Sequence, residues 1–391
     1  MNTQRFVSLL PPLAMALLLV AAGCQKETED TKPIVTPQPK LSDYLNIDLS
    51  NLDNFANNTY PVHYDANIFD AFDNTPVDNA ITDKGATLGK VLFYDKNLSY
   101  NKTTACASCH RQELGFTDSE KLSVGFEGGL TGAHSMRLGN VRFYAGEKMF
   151  WDLRAASVED QSTRPIKDGT EMGFDATHGG FDALIARMDQ LPYYPELFTF
   201  VYGDATITEE KVQKALAQFV RSIESYHSRF DEGFALVFNR NVPNGNLNAP
   251  FPNFTTEENR GKELFISPPN QGGGGCIGCH QAPTFALNAI SHSNGLDAGE
   301  TKIFKSPSLK NIAVTGPYMH DGRFKTLMEV IEHYNSGVQL GPALDGKLRT
   351  PNGQPLRLQL TQNDKEALVA FLNTLTDQSL NTDTKFSNPF K

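Results

Sequence analysis

One short sequence occurs twice in this chain, as Cys106-Ala107-Ser108-Cys109-His110 and as Cys276-Ile277-Gly278-Cys279-His280. Two thiols separated by two residues and followed at once by an imidazole are typical of a c-type haem attachment site. Each thiol can form a thioether with the haem, and the adjacent histidine can bind the iron. The sequence therefore predicts two covalent c-type haems, with His110 and His280 as iron ligands.

The cysteine pairs are compatible with two other interpretations. A Cys-x-x-Cys pair can be a redox dithiol, or half of a four-cysteine zinc site that the second pair completes. Neither of these explains why a histidine directly follows both pairs. The haem interpretation requires that histidine, so the sequence favours it.

The similarity between the two halves extends beyond the haem motifs. The segment 89–93 matches 261–265, and Asp152-Leu153-Arg154 matches Asp321-Gly322-Arg323. Between them, three residues recur at one offset: Ser135, Leu138 and Asn140 match Ser306, Leu309 and Asn311. An internal repeat of this kind indicates two related domains. We predict a mainly α fold with two cytochrome-c-like haem domains.

The 391 residues can supply two or three domains. We predict an N-terminal domain over 43–240 that includes an irregular arm, a linker over 241–254 and a C-terminal domain over 255–391. Helices are expected from Asp83 to Phe93, capped by Thr82, and from Glu209 to Tyr226, capped by Thr208. Thr255 to Glu258 has the spacing of a capping box, which predicts a third helix just before the second haem motif.

The N-terminus has the pattern of an export signal. Residues 1–24 combine Arg5, an apolar run and small residues before Cys24, the place where a bacterial lipoprotein is cleaved and acylated. An ordinary signal peptide with an incidental cysteine is the alternative. Residues 25–42 are too polar to fold and predict a flexible tether. The expected location is the periplasm or the outer membrane, with a lipid anchor on the exported side as the only attachment to a membrane.

The cysteine count and the net charge limit the disulfides and the partners that this chain can have. Four of the five cysteines lie in the haem motifs and the fifth is Cys24, which leaves none for a structural disulfide. The formal net charge of -10 argues against a nucleic-acid partner. A mildly acidic surface suits a basic protein such as a small cytochrome.

Over roughly residues 80 to 380, the chain resembles the bacterial di-haem cytochrome c peroxidases, which include the MauG-type enzymes. The haem motifs carry the resemblance together with four further stretches: Phe150-Trp151-Asp152-Leu153-Arg154, Pro165-Ile166, Glu171-Met172-Gly173 and Gly316-Pro317-Tyr318-Met319-His320-Asp321-Gly322. In that family the first haem binds peroxide and the second receives electrons. The resemblance implies that Glu171 is the acid–base group of the first haem, that Gln161 lines its pocket and that Trp151, the only tryptophan, lies between the haems.

The sequence departs from the family pattern around the first haem. Many members have a histidine there that closes the iron, and Phe126 occupies its place, so the first iron is expected to be open. The rival ligand is His134, which stands where the family usually has a calcium-binding asparagine. Thr315 and Pro317 match the other calcium contacts, so calcium between the domains is an expectation from the resemblance.

The second haem shows another departure. Alignment from His320 puts Tyr334 where many peroxidases supply a methionine ligand, and this is the MauG-type arrangement. Met319 and Met328 are the alternatives to Tyr334. A phenolate favours ferric iron, whereas a thioether raises the reduction potential.

The leading hypothesis is a di-haem cytochrome c peroxidase that reduces hydrogen peroxide to water with electrons from a small cytochrome c or a similar donor. One alternative is a MauG-type oxidase that acts on a protein substrate. Another is a non-catalytic electron-transfer cytochrome with both irons fully ligated. The resemblance also implies a homodimer.

Overall fold

The computed structural model describes residues 40–146, 148–287 and 289–391. The predicted signal peptide with Cys24, and almost all of the predicted tether, lie outside the described residues. In the described part of the chain, no helix combines the length and apolar character needed to cross a membrane.

The described residues form α-helices joined by turns, and their strand-like pairing is limited to isolated bridges. In chain order the helices are α1 (Leu41–Tyr44), α2 (Ala66–Phe72), α3 (Asp83–Tyr94), α4 (Cys106–Cys109), α5 (Val158–Thr163), α6 (Gly180–Met188), α7 (Tyr193–Tyr202), α8 (Glu209–Ser222), α9 (Arg229–Val237), α10 (Thr256–Ile266), α11 (Leu327–Glu332), α12 (Gln362–Asn373) and α13 (Gln378–Thr382). The predicted mainly α class is confirmed.

The first hydrophobic core forms where α3 crosses α8. Helix α3 begins after the predicted cap Thr82. The predicted apolar face of α3 is completely buried: Leu88, Val91 and Leu92. At the crossing, a Cβ atom on Gly89 would lie 2.1 Å from the carbonyl oxygen of Ala215. Glycine therefore allows the two helix backbones to approach this closely.

The second core repeats this arrangement with α10 and α12. The predicted capping box is present, because Thr255 accepts a hydrogen bond from the Glu258 amide and the Glu258 side chain returns one to the Thr255 amide. A Cβ on Gly261 would lie 1.9 Å from the carbonyl oxygen of Ala367. Gly89 and Gly261 occupy matching positions of the sequence repeat, so the repeat specifies the same helix crossing twice.

The repeated asparagines have matching roles. Asn140 and Asn311 have backbone φ angles of 61° and 60°, a conformation that asparagine tolerates better than most residues. The side-chain oxygen of Asn140 accepts a hydrogen bond of 2.7 Å from the Ser225 amide, and that of Asn311 accepts one of 2.5 Å from the Asp377 amide. Each asparagine thus links the loop after its haem motif, by a hydrogen bond, to the segment that follows α8 in the first core or α12 in the second.

Helix α8 starts after the predicted cap Thr208 but ends at Ser222, four residues before the predicted end at Tyr226. The backbone leaves the helix because Asn140 binds the amide of Ser225. Glu224 is also drawn into a buried ion pair with Arg142 at 2.8 Å. Tertiary partners therefore override the helical pattern at its last turn.

The segments outside the repeat connect the two cores. Residues 241–254, predicted as a linker, are irregular and bury Phe251 and Phe254 in the second core. The arm before α3 buries Phe55 in the first core. Its His63 reaches Asp231 of α9, with Nε2 3.3 Å from the carboxylate. Because Phe230 and Phe234 of α9 pack in the second core, the arm contacts elements of both cores.

Candidate active site

The first Cys-x-x-Cys-His motif lies in a cleft of its own. Cys106 and Cys109 bound the single-turn helix α4, and His110 follows as its C-cap. All three line a cleft with about 880 Å³ of space between its walls, a volume that includes its open mouth. Burial raises the pKa of the Cys106 thiol to about 12 and that of Cys109 to about 11. These thiols are neutral at ordinary pH.

The second motif lines a separate and larger cleft of about 2010 Å³, which again includes its mouth. Because Cys276, Cys279 and His280 do not share a cleft with the first motif, the four cysteines do not form one zinc site. Among the described residues, no group of three or more His, Cys, Asp or Glu side chains is placed to hold a metal ion. A redox dithiol does not require a cleft of this size, whereas a haem does.

Each motif histidine is oriented by the same kind of contact. His110 Nδ1 lies 3.1 Å from the Phe116 carbonyl oxygen and 3.1 Å from the Ser135 hydroxyl. His280 Nδ1 lies 3.5 Å from the hydroxyl of Ser306, the repeat partner of Ser135. With Nδ1 engaged, Nε2 is the ring nitrogen that remains for iron.

Burial also sets the charge of these two histidines. It lowers the pKa of His110 to about 4, and it lowers the pKa of His280 to about 4 with help from the charge of Arg137. Both imidazoles are therefore neutral, which is the form that binds a metal. The residues of the two clefts fit two covalently attached haems.

Glu171 lines the first cleft together with the haem motif, as the resemblance implies. Its backbone is fixed on both sides: the amide donates to the Asp168 carboxylate at 3.0 Å, and the carbonyl accepts from the Phe126 amide at 3.1 Å. Burial, followed by the charge of Asp168, raises the pKa of Glu171 to about 7. A carboxyl that titrates near neutral pH can both accept and donate a proton.

Gln161 lines the same cleft from α5, a helix capped by Ser157. The structure therefore brings together Glu171, Gln161 and the first haem motif, although Cys106 and Glu171 are 65 residues apart in the sequence. Carboxyl and amide face a largely apolar cavity, an arrangement suited to orienting a small polar molecule.

Phe126, which occupies the place of the closing histidine, and His134, the rival ligand of the first iron, both lie outside the lining of the first cleft. Phe126 is buried, and its ring packs against Gly173, where a Cβ would lie 2.4 Å from it. His134 does not line the first cleft. Its Nδ1 lies 3.1 Å from the Glu120 carbonyl oxygen and its Nε2 lies 3.4 Å from the Thr117 hydroxyl. Both ring nitrogens of His134 thus have structural partners.

Two of the three candidates for the sixth position of the second haem lie together. Tyr334, in a π-helical turn after α11, and Met319 both line the second cleft, but Met328 does not. The Asn294 side-chain amide is 3.4 Å from the Tyr334 hydroxyl and 3.3 Å from the Met319 sulfur. The choice between Tyr334 and Met319 stays a prediction, and Met328 has no position in the cleft.

Trp151 lines the second cleft and is held from two sides. Its indole N–H donates to the His134 carbonyl oxygen at 2.7 Å, and its carbonyl accepts from the Lys305 amide at 2.8 Å. Lys305 itself lines both clefts. Trp151 is thus hydrogen-bonded to the backbone of Lys305, a residue that both clefts share, and its position between two haems stays a prediction.

The predicted calcium contacts, Thr315 and Pro317, follow the short helical turn Ile312–Val314. Thr315 is buried and its hydroxyl donates to the Ile312 carbonyl oxygen at 3.1 Å. The resemblance assigns calcium to the carbonyl oxygens of Thr315 and Pro317, and this assignment stays a prediction.

Sequence reasoning missed Arg137, Asn294 and Lys305 as residues of the clefts. The repeat contained one signal for Lys305. The offset that relates Ser135 to Ser306 also relates His134 to Lys305, so Lys305 occupies the repeat position of a residue already named as a candidate ligand. No pattern in the sequence distinguishes Asn294 or Arg137 from surface residues.

Comparison with known proteins identifies a matching family, similar relatives and a similar solved structure. A family model described as "Di-haem cytochrome c peroxidase" matches residues 83–235. The chain is 30% identical over 315 residues to the methylamine utilization protein MauG of Methylorubrum extorquens, covering 77% of this chain and 80% of that protein. It is 28% identical over 335 residues to the cytochrome c551 peroxidase of Nitrosomonas europaea, covering 78% of this chain and 87% of that protein.

A solved structure is also similar. A MauG-like protein associated with microbial copper homeostasis superposes with a TM-score of 0.65 at 28% identity, covering 81% of this chain and 96% of that one. The family-model match includes the first haem motif, and each of these relatives covers at least 77% of the chain.

Proposed function

The chain belongs to the di-haem cytochrome c peroxidase and MauG family and is an oxidoreductase of that family. We propose that it reduces hydrogen peroxide to water with electrons from a small cytochrome c or a similar donor. The observation that carries the proposal is Glu171, a carboxyl with a pKa of about 7 in the same cleft as His110. Reduction of one peroxide consumes two electrons from the donor and two protons and yields two waters.

Cys106, Cys109 and His110 would hold the first haem, and Cys276, Cys279 and His280 the second. When bound, the haems supply iron centres that bind peroxide and carry electrons. In this proposal the N-terminal domain, residues 43–240, is the peroxidatic one, and the C-terminal domain, residues 255–391, receives electrons.

Glu171 moves the proton that cleavage of the O–O bond requires. In its ionised form the carboxylate accepts a proton from one peroxide oxygen, and the resulting acid donates it to the other oxygen, which leaves as water. Because its pKa is about 7, both forms are populated at neutral pH. The bonds of its backbone to Asp168 and Phe126 keep the carboxyl at the cleft.

Gln161 and Phe126 support this step without exchanging protons. The amide of Gln161 can hydrogen-bond peroxide in the cleft and orient it towards Glu171. Phe126 fills the space over Gly173 with an aromatic ring that cannot bind a metal, so its loop leaves the first iron site accessible. Peroxide then has access without prior reduction of the second site.

Trp151 is the proposed route for electrons from the second site to the first. Its ring lines the second cleft, and its carbonyl bonds the backbone of Lys305, which lines both. An aromatic ring in this position shortens the distance that an electron must cross through saturated groups. The predicted export signal and the predicted acylation site Cys24 support our proposal of a lipid-anchored location on the exported side, where such donors and covalent haem attachment occur.

Steady-state peroxide turnover by the haem-loaded protein, with a reduced small cytochrome c as donor, tests the proposal. We expect Glu171→Gln to lower turnover at least about 100-fold, the usual minimum for a general acid–base group, with both haems retained. Glu366→Gln on the exposed face of α12 is the matched control and should be unchanged. Undiminished turnover by Glu171→Gln would remove Glu171 from its role.

A MauG-type oxidase is the second candidate, and Tyr334 in the second cleft favours it. A tyrosine ligand stabilises ferric iron and suits a protein that withdraws electrons from a partner's aromatic side chains rather than accepting them from a reduced carrier. The two candidates differ in their electron source. Fast turnover with reduced cytochrome c supports the peroxidase, whereas peroxide-dependent oxidation of a partner protein without such turnover supports the MauG-type activity.

A further inference from the structure

Lys305 is a buried cation at the boundary of the two clefts. Only 5% of its surface is exposed, and it lines both the first and the second cleft. Its ammonium group lies 3.1 Å from the Met149 sulfur and 4.1 Å from the centre of the Tyr144 ring. Among the described residues, no carboxylate forms an ion pair with it. A buried ammonium is costly unless an anion accompanies it.

Arg137 is a second cation in the same region and lines the second cleft. Its guanidinium donates to the carbonyl oxygens of Ser308 and Pro307, the latter at 3.3 Å. In the described part of the chain it too lacks a carboxylate partner. Two neutral carbonyls satisfy hydrogen bonds of Arg137 but do not balance its charge.

Some other buried cations of this protein are paired with carboxylates, whereas the buried Lys262 donates to the carbonyl oxygens of Leu247 and Ala249. Lys310 contacts the buried Asp231, and Arg221 binds Glu159. Lys305 and Arg137, by contrast, repel each other: burial and then the charge of Arg137 lower the pKa of Lys305 to about 7, and burial lowers that of Arg137 to about 10. The fold therefore concentrates uncompensated positive charge where the two clefts meet.

We propose that Lys305 and Arg137 are the counter-ions of haem propionates, with Lys305 shared between a propionate of each haem and Arg137 serving the second haem alone. Propionate carboxylates are the anionic groups that every haem brings into its cleft, and they match the ammonium and guanidinium donors in charge and hydrogen bonding. This assignment rests on the proposed pair of haems. It makes Lys305 a positioning residue whose charge acts on both irons.

A shared cation has a measurable consequence. A positive charge near a haem disfavours the ferric state, which carries one more positive charge than the ferrous state, so it raises the reduction potential. In the low-dielectric interior this effect is larger than at the surface. Removal of the Lys305 charge should therefore lower both midpoint potentials, whereas removal of the Arg137 charge should lower that of the second haem.

Potentiometric titration of the haem-loaded protein, followed by visible spectra, tests the proposal without peroxide. In Lys305→Met we expect each ferrous haem to become at least about tenfold less favoured, a fall of about 59 mV for a one-electron couple. Lys305→Arg keeps the charge and should retain most of the wild-type potentials. Lys302→Met removes an exposed charge three residues away and should leave both potentials unchanged.

The outcomes separate the alternatives. A fall of both potentials in Lys305→Met with rescue in Lys305→Arg supports the shared counter-ion, and a change at one haem or at neither overturns it. If Lys305→Met fails to incorporate two haems, Lys305→Gln, which keeps a polar head without the charge, must show the same two falls. Because the titration needs no turnover, loss of the peroxidase proposal would leave this result intact, and an unchanged potential would leave the peroxidase proposal intact.

Discussion

The carboxyl of Glu171 should make peroxide turnover increase as the pH rises. Burial raises its pKa from 4.5 to about 7, so it is protonated in mildly acidic solution and cannot accept the peroxide proton. We expect kcat/KM for peroxide to rise from pH 5 and to reach half its maximum near pH 7. In Glu171→Gln this rise should disappear together with most of the activity.

The same shift makes Glu171 a pH-dependent contributor to stability. The pKa of Glu171 is higher in the folded chain than in the unfolded chain, so the bound proton stabilises the fold. This stabilisation is complete below about pH 4.5 and is lost as pH rises through about 7. One pKa unit corresponds to about 1.36 kcal/mol, so the full shift is worth about 3 kcal/mol. Glu171 is partly exposed, and solvent screening reduces this to about 1–2 kcal/mol.

Denaturant unfolding of wild type and Glu171→Gln at several pH values measures this difference. Glutamine has no charge to bury, so the variant should gain about 1–2 kcal/mol in free energy of unfolding relative to wild type between pH 4.5 and pH 8. Glu366→Gln supplies the surface control. A relative stability that stays constant with pH, or turnover whose acidic limb lies near pH 4.5, would refute the raised pKa.

Three further predictions concern packing and the electron route. Gly261→Ala puts a Cβ 1.9 Å from the Ala367 carbonyl oxygen and should destabilise the fold by about 1–3 kcal/mol in thermal or denaturant unfolding. The control is Gly346→Ala, whose Cβ meets open space and which should leave stability almost unchanged. Trp151→Phe should slow steady-state peroxide turnover at least tenfold while single-turnover binding of peroxide stays normal; equal rates would exclude the Trp151 route. Tyr334→Met should alter the visible spectrum and raise the potential of the second haem, and an unaltered spectrum would show that Tyr334 is not its ligand.

The fold could be predicted from the sequence where local signals and the repeat agree. Thr82, Thr208 and Thr255 cap the helices that they were predicted to cap. The repeat also anticipated that Gly89 and Gly261 would have equivalent positions, although the close helix crossing that requires them appears only in three dimensions. A cap acts within one helical turn, so the sequence alone reports it.

Features set by tertiary contacts were less accessible. The end of α8 at Ser222 depends on the distant Asn140 binding Ser225, which no local pattern indicates. A lysine is usually exposed, so composition gives no reason to expect Lys305 in the interior. Its burial follows from the packing of its segment between two clefts.

For the candidate site, the haem motifs predicted His110 and His280 as iron ligands, and the family resemblance pointed to Glu171 and Gln161, which line the first cleft with His110. The raised pKa of Glu171 could not be read from the sequence, because it depends on burial and on the nearby Asp168. The position of Met328 outside the lining of the second cleft likewise could not be read from the sequence, because it depends on where the cleft walls lie.

The central claim is that the first iron has an open position facing Glu171 while the second is fully ligated. Electron paramagnetic resonance of the resting, fully oxidised protein tests this most directly, because it reports the spin state of each iron separately. We predict one high-spin ferric signal from the iron held by His110 and one low-spin signal from the iron held by His280. Two low-spin signals would contradict the claim and indicate a non-catalytic electron-transfer cytochrome.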